Sequence, residues 1–117
     1  MKSPFSKKVQ GLKIIIVGCG KVGTTLVERL SKEKHDITVV DINPQVVQRV
    51  TGTYDVMGIP GNGASYSVQI DAGIENADLI IAVTESDELN LLCCTIAKKV
   101  GDCAAVARVR NPDYSAE

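Results

Sequence analysis

Apolar and polar positions alternate along the chain with two different periods. Lys13 to Val17, KIIIV, is a short continuous β-branched run, the pattern of a strand covered on both faces. Val22, Leu26, Val27 and Leu30 then recur at helical spacing and predict a helix to about Lys32. Glu33 to Asp36 reads as a polar turn, with His35 as a solvated loop residue. Asp36 to Asp41, DITVVD, predicts a second strand that ends in an acid. Asn43-Pro44 pairs an N-cap with a first helical residue. Val46, Val47 and Val50 supply the apolar face of that helix, and Gly52 lies near its end. Tyr54 to Ile59 predicts a third strand, Pro60 to Gly63 a loop, and Ala64 to Asp71 a helix closed by Gly73. Asp78 to Thr84, DLIIAVT, predicts a fourth strand. Leu89, Leu92, Cys93, Ile96 and Val100 form a helical stripe that stops at Gly101. Ala104 to Val109 predicts a fifth strand, broken by Asn111-Pro112.

Strands alternating with helices at this spacing imply βαβ units around a parallel sheet. Right-handed crossovers then favour a Rossmann-like, doubly wound α/β fold with strand order 3-2-1-4-5. Residues 1–12 read as a flexible N-terminal arm, and residues 13–117 as one nucleotide-binding domain. No repeat or low-complexity tract interrupts it. A complete sheet of this type has a sixth strand, so the chain reads as a fragment or a minimal version.

Composition narrows the function classes. The 117 residues suit one domain with a single core. Thirteen Lys and Arg stand against fourteen Asp and Glu, so no net charge favours nucleic acid. Aromatic residues are only 3%, which removes the stacking platforms of single-strand binders. No apolar run approaches the ~20 residues of a membrane span. The basic start, MKSPFSKKVQGLK, lacks the apolar core of a signal peptide. The four cysteines, at 19, 93, 94 and 103, form no C-x-x-C pair. They read as reduced thiols rather than a metal or disulfide framework.

The chemistry concentrates in Val17 to Gly23, VGCGKVG, which contains G-x-G-x-x-G. A strand precedes it, a helix follows, and an acid closes the next strand, which is the context a dinucleotide fingerprint requires. Gly18 makes the tight turn, Gly20 lets a pyrophosphate approach the backbone, and Gly23 lets the helix pack on the strand. The first-turn N–H groups and the helix dipole suit phosphate. A glycine-rich turn serving packing alone is the competing reading. Asp41, eighteen positions after Gly23, is placed to accept both ribose hydroxyls of an adenosine and to repel a 2′-phosphate. With no Arg at 42 or 43, NAD(H) or an adenine nucleotide is favoured over NADP.

Other candidates sit at the carboxyl ends of strands, the ligand edge of an open α/β sheet. Asn62 is placed to meet adenine and Thr84, followed by Glu85, to face ribose, although both residue types are also common turn formers. Lys21 reads either as a phosphate contact or as a solvated lysine. Arg108 can reach a phosphate or a neighbouring chain, and its charge requires a partner. Cys19 stands at a helix N-terminus, where a thiol pKa can fall; a small residue fitting the turn is the simpler account.

These residues also resemble a known family. KIIIVGCGKVG, ITVVDINP, the GNGAS segment, AGIENADLIIAVTESDELNLL and ARVRNPDY, together spanning Lys13 to Tyr114, look like the N-terminal (RCK or KTN) domain of TrkA potassium uptake regulators. The resemblance implies a non-enzymatic, cytoplasmic regulatory domain at the inner face of the membrane. It implies binding of NAD(H), or of ATP or ADP, pairing into dimers or rings, and a potassium transporter or channel subunit as partner. Gly18, Gly20, Lys21, Val22 and Gly23 would line the phosphates, Asp41 hold the ribose and Ile42 flank the adenine. Thr84, Glu85 and Arg108 would lie by the far part of the ligand. Asn62 stands where the family usually has Asp. The family usually continues into a sixth strand and a C-terminal ligand-binding domain. The alternative is the cofactor half of an NAD-dependent dehydrogenase, which needs a substrate pocket and a general acid or base near the nicotinamide.

Overall fold

A computed structural model describes residues 11–115. The arm expected over residues 1–12 lies, as far as residue 10, outside the described residues. Five parallel strands form one sheet in the order β3-β2-β1-β4-β5. They are β1 (Lys13–Val17), β2 (Asp36–Asp41), β3 (Met57–Pro60), β4 (Leu79–Ala82) and β5 (Ala104–Ala107). Between them run α1 (Lys21–Ser31), α2 (Pro44–Thr53), α3 (Tyr66–Asp71) with a 3-10 turn over Ile74–Asn76, and α4 (Asp87–Val100); α5 (Pro112–Ser115) follows β5. The order is the one the alternating pattern predicts. Central β1 pairs Ile14 with Ile37 on one side and with Leu79 on the other.

The continuous apolar runs divide between two cores because successive strand side chains point to opposite faces. Ile14, Ile16, Ile37 and Val39 pack with Val27 and Val50, under α1 and α2. Ile15, Val17, Val40, Ile80 and Ala82 pack with Ala72, Cys93 and Ala97, under α3 and α4. Helices α2, α3 and α4 start where the sequence supplies side-chain caps. Asn43 accepts Gln45 N–H at 2.9 Å, Ser65 accepts Val68 N–H at 3.4 Å, and Ser86 accepts Leu89 N–H at 3.1 Å.

Several boundaries differ from the expectation. Tyr54 to Val56 is not strand: α2 runs through Gly52 to Thr53, and the Tyr54 N–H still bonds the Val50 carbonyl. Strand β5 stops at Ala107 because the next stretch bends toward α4, where Asp87 Oδ2 accepts Arg110 N–H at 3.1 Å and Asn111 N–H at 2.8 Å. Ala64 precedes α3 instead of opening it, since Asn62 Oδ1 takes its N–H at 2.9 Å and Ser65 is the cap. Helix α4 is rotated relative to the leucine stripe. Its buried seam is Asn90, Cys93 and Ala97, small enough to sit close to the sheet, and Leu92 is 51% exposed. His35 is likewise not solvated. Its side chain is 4% exposed, and Nδ1 accepts the Leu12 N–H at 3.1 Å where the chain enters β1.

Candidate functional site

The carboxyl edge of the sheet carries a cavity of about 630 Å³. Its floor is the glycine loop. Gly18 adopts φ 97°, a conformation that favours glycine, and its N–H donates to the Val40 carbonyl at 2.8 Å. A Cβ on Gly23 would lie 1.8 Å from the Gly18 carbonyl oxygen, so α1 starts directly against the loop. Gly20 differs from both. A Cβ there meets nothing within 4 Å, which leaves open space over the start of the helix. Gly20 is the N-cap and supplies no side-chain cap, so the first-turn N–H groups lack intrahelical partners and suit an anion. The loop fits a pyrophosphate: a cradle open at Gly20 and closed beneath by Gly18 and Gly23.

Asp41 ends β2 and joins this floor to the adjacent wall. Its Oδ2 accepts the Cys19 N–H at 2.8 Å, and its Oδ1 accepts the Asn43 N–H at 2.9 Å. Both carboxylate oxygens keep further lone pairs for hydroxyl donors. The carboxylate therefore holds the glycine loop in place while remaining on the cavity wall. Ile42 follows it, 71% exposed, on the same wall. Asn62 also lines the cavity, yet its Oδ1 is occupied by Ala64 N–H. Turn chemistry and wall position thus coincide at that residue.

The far wall is Val83 to Ser86. It is held by Asn90, which is fully buried. Asn90 Oδ1 accepts the Thr84 N–H at 2.9 Å and the Thr84 hydroxyl at 2.7 Å, while Nδ2 donates to the carbonyls of Thr84 at 3.2 Å and Arg108 at 3.0 Å. Arg108 lies just past β5, and its Nη2 donates to the Thr84 carbonyl at 2.7 Å. Behind the Gly61–Gly63 loop, buried Gln69 donates through Nε2 to the carbonyls of Gly63 at 2.8 Å and Cys93 at 2.9 Å.

Of the twelve residues singled out in the sequence, Gly18, Cys19, Gly20, Asp41, Ile42, Asn62, Thr84 and Glu85 are on the cavity lining. Gly23 lies beneath the loop, and Arg108 braces the far wall from outside. Lys21 and Val22 are exposed on the first turn of α1, off the lining. Cys19 is buried, and desolvation, reinforced by the Asp41 charge, pushes its thiol up to about 12. That direction is opposite to the one a reactive helix-terminal thiol requires, so the small-residue account holds.

Arg49, Asn90 and Gln69 were not singled out. Arg49 lines the cavity from the second turn of α2 and donates through Nη2 to the Cys19 carbonyl at 3.4 Å. A scan confined to positions 42 and 43 misses it because the helix, not the strand end, delivers it. Asn90 had a signal, a polar residue flanked by Leu89, Leu91 and Leu92; Gln69 had none, since its short helix YSVQID also carries Ser67 and Asp71.

The sequence model of the TrkA-N domain matches residues 14–117. The chain is 40% identical over 107 residues to the Trk system potassium uptake protein TrkA of Vibrio alginolyticus, covering 91% of this chain and 23% of that protein. It is 39% identical over 104 residues to the protein of the same name from Azorhizobium caulinodans, covering 88% and 23%. The chain thus spans about a quarter of the length of these relatives. Its fold is shared with the GsuK channel bound to NAD, at a TM-score of 0.77 and 22% identity over 90% of this chain and 19% of that one. It is shared also with the Kef CTD of Shewanella denitrificans in AMP-bound form, at 0.74 and 20% over 87% and 62%. With a match that begins inside β1 and takes in the glycine loop and every later strand, the chain belongs to the TrkA-N domain family.

Proposed function

We propose that this domain binds NAD(H), and related adenine nucleotides, as the sensing part of a potassium-transport regulator. The observation that carries the reading is the Asp41 carboxylate. It fixes the glycine loop through Cys19 N–H and stands on the wall of a cavity large enough for an adenosine and its phosphates. In this reading Gly18, Gly20 and the first-turn N–H groups hold the pyrophosphate. Asp41 takes the ribose hydroxyls, Ile42 and Asn62 flank the adenine, and Thr84 and Glu85 meet the distal half.

The likeness in fold to NAD-bound GsuK and AMP-bound Kef supports a nucleotide as the ligand, and the TrkA relatives support a potassium-transport setting. The cavity is walled by both halves of the sheet: the glycine loop and Asp41 on one side, Val83 to Ser86 on the other. A ligand touching both biases any motion between them. It shifts a two-state equilibrium by as much as its affinity for the two states differs. Paired domains at the cytoplasmic face of a potassium transporter or channel subunit would transmit that shift to the pore.

The similarity to TrkA proteins supports a regulatory binding role over that of a dehydrogenase fragment. Among the described residues no helix is long and apolar enough to cross a membrane. A thermal-shift series with NAD, NADH, AMP, ADP and ATP tests the reading. A ligand bound only by the folded state raises the midpoint in proportion to the logarithm of its concentration over Kd. A midpoint unmoved by all five at millimolar concentration overturns it.

A further inference from the structure

We infer that Arg49 makes the cavity receptive to a phosphate on the adenosine 2′-oxygen, so that it accepts NADP(H) as well as NAD(H). This rests on the dinucleotide reading above. Asp41 alone disfavours such a phosphate by charge repulsion. Arg49 changes the balance. It is the one Lys or Arg on the described lining, and it reaches the residue that Asp41 holds. Asp41 takes the Cys19 N–H and Arg49 approaches the Cys19 carbonyl. A negative and a positive side chain therefore converge on one residue of the glycine loop, on the ribose side of the cavity.

Among the described residues the guanidinium is not consumed. Its hydrogen bond to Cys19 is long, at 3.4 Å, and it pairs with no carboxylate among the described residues. Helix α2, PQVVQRVTGT, contains no acid to compete for it. An arginine has five N–H donors in a planar fork that matches two oxygens of one phosphate. Most of that fork faces no partner among the described residues. An arginine beside the ribose acid is the group that accommodates a 2′-phosphate in a fold of this kind. Arg49 meets that description from the helix rather than from the strand end.

Calorimetry on the whole chain tests this, with NADH and NADPH titrated into the wild type, Arg49→Gln and Arg49→Lys at low ionic strength. The wild type is expected to bind NADPH within about tenfold of NADH. In Arg49→Gln the ratio of NADPH to NADH affinity should fall by about tenfold or more, the range of a charge-assisted hydrogen bond. Arg49→Lys, which keeps the charge without the fork, should show a smaller fall. A wild type that binds NADH but binds NADPH more than about tenfold more weakly overturns the inference and leaves the NAD(H) reading intact. An unchanged ratio in Arg49→Gln, even with both affinities reduced, assigns Arg49 to the shared part of the ligand and also overturns it. Binding of neither ligand overturns the dinucleotide reading itself. Arg49 lies on an exposed helix surface, and far-ultraviolet circular dichroism confirms that each variant is folded.

Discussion

A valine at position 20 separates the fold from the ligand. Gly20 has φ −75° and ψ −154°, a conformation open to any residue, and a Cβ there meets nothing within 4 Å. Replacing a glycine N-cap by an apolar residue costs about 1 kcal/mol, and the reduced freedom of the unfolded chain returns about 0.4–1 kcal/mol. At about 4–8 °C per kcal/mol for a domain near this size, the unliganded midpoint of Gly20→Val should stay within a few degrees of wild type. The ligand meets a different situation. The isopropyl group stands in the space over the first helical turn, where the pyrophosphate would lie. Losing two hydrogen bonds to a charged group, at about 1.5–3 kcal/mol each, removes about 3–6 kcal/mol of binding, or ~10²–10⁴ in Kd. Calorimetry with NADH measures the second effect, and thermal unfolding without ligand measures the first. Wild-type affinity in Gly20→Val would show that the loop serves packing alone. A variant that fails to fold would contradict the open space found at that position.

Gly23→Ala should behave in the opposite way. Its Cβ would meet the Gly18 carbonyl oxygen at 1.8 Å, so urea unfolding without ligand should show a loss of about 3 kcal/mol or more. Asp41→Ala removes the acceptor for two backbone N–H groups, as well as the proposed ribose contact. NADH affinity should fall more than about tenfold, and stability by about 1–2 kcal/mol; an unaltered Kd in calorimetry would remove Asp41 from the ligand. Asn90→Leu leaves the Thr84 N–H and the Arg108 carbonyl without their buried partner, while the Thr84 carbonyl keeps the Arg108 guanidinium. A loss of about 3 kcal/mol or more is expected in denaturant titrations. The thiols of Cys19 and Cys93 are raised by burial from 9.0 to about 12. The folded state therefore holds these protons more tightly than the unfolded state. Their contribution is full below pH 9 and is lost as pH rises from 9 toward 12. Urea midpoints should be level to about pH 9 and fall above it, and iodoacetamide at pH 7, followed by mass spectrometry, should leave both cysteines unmodified.

The sheet was legible because β-branched runs and helical stripes alternate without ambiguity. Its order followed from right-handed connections between parallel strands. The position of the eight candidate residues on the cavity lining was legible for a related reason: in an open α/β sheet the carboxyl edge is also the set of loops after each strand. What escaped reading depends on side chains that cross between elements. Arg49 comes from the second turn of a helix, a place no strand-end rule inspects. His35 looked like a loop residue, yet its ring accepts an N–H from Leu12, twenty-three positions away. The rotation of α4 followed the same logic. Leucines marked the apolar stripe, but Asn90, with four hydrogen bonds to the ends of two strands, determines which side faces the sheet.

The double engagement of Asp41 constrains how this site can diversify. A lineage or a designer seeking a new nucleotide preference would first consider the acid at the end of β2. Here that acid also clamps Cys19 and Asn43, so changing it loosens the glycine loop that every candidate nucleotide would share. Position 41 is in effect frozen by its second task. The exposed face of α2, where Arg49 can be exchanged without disturbing a clamp or a core, is the open route for retuning selectivity.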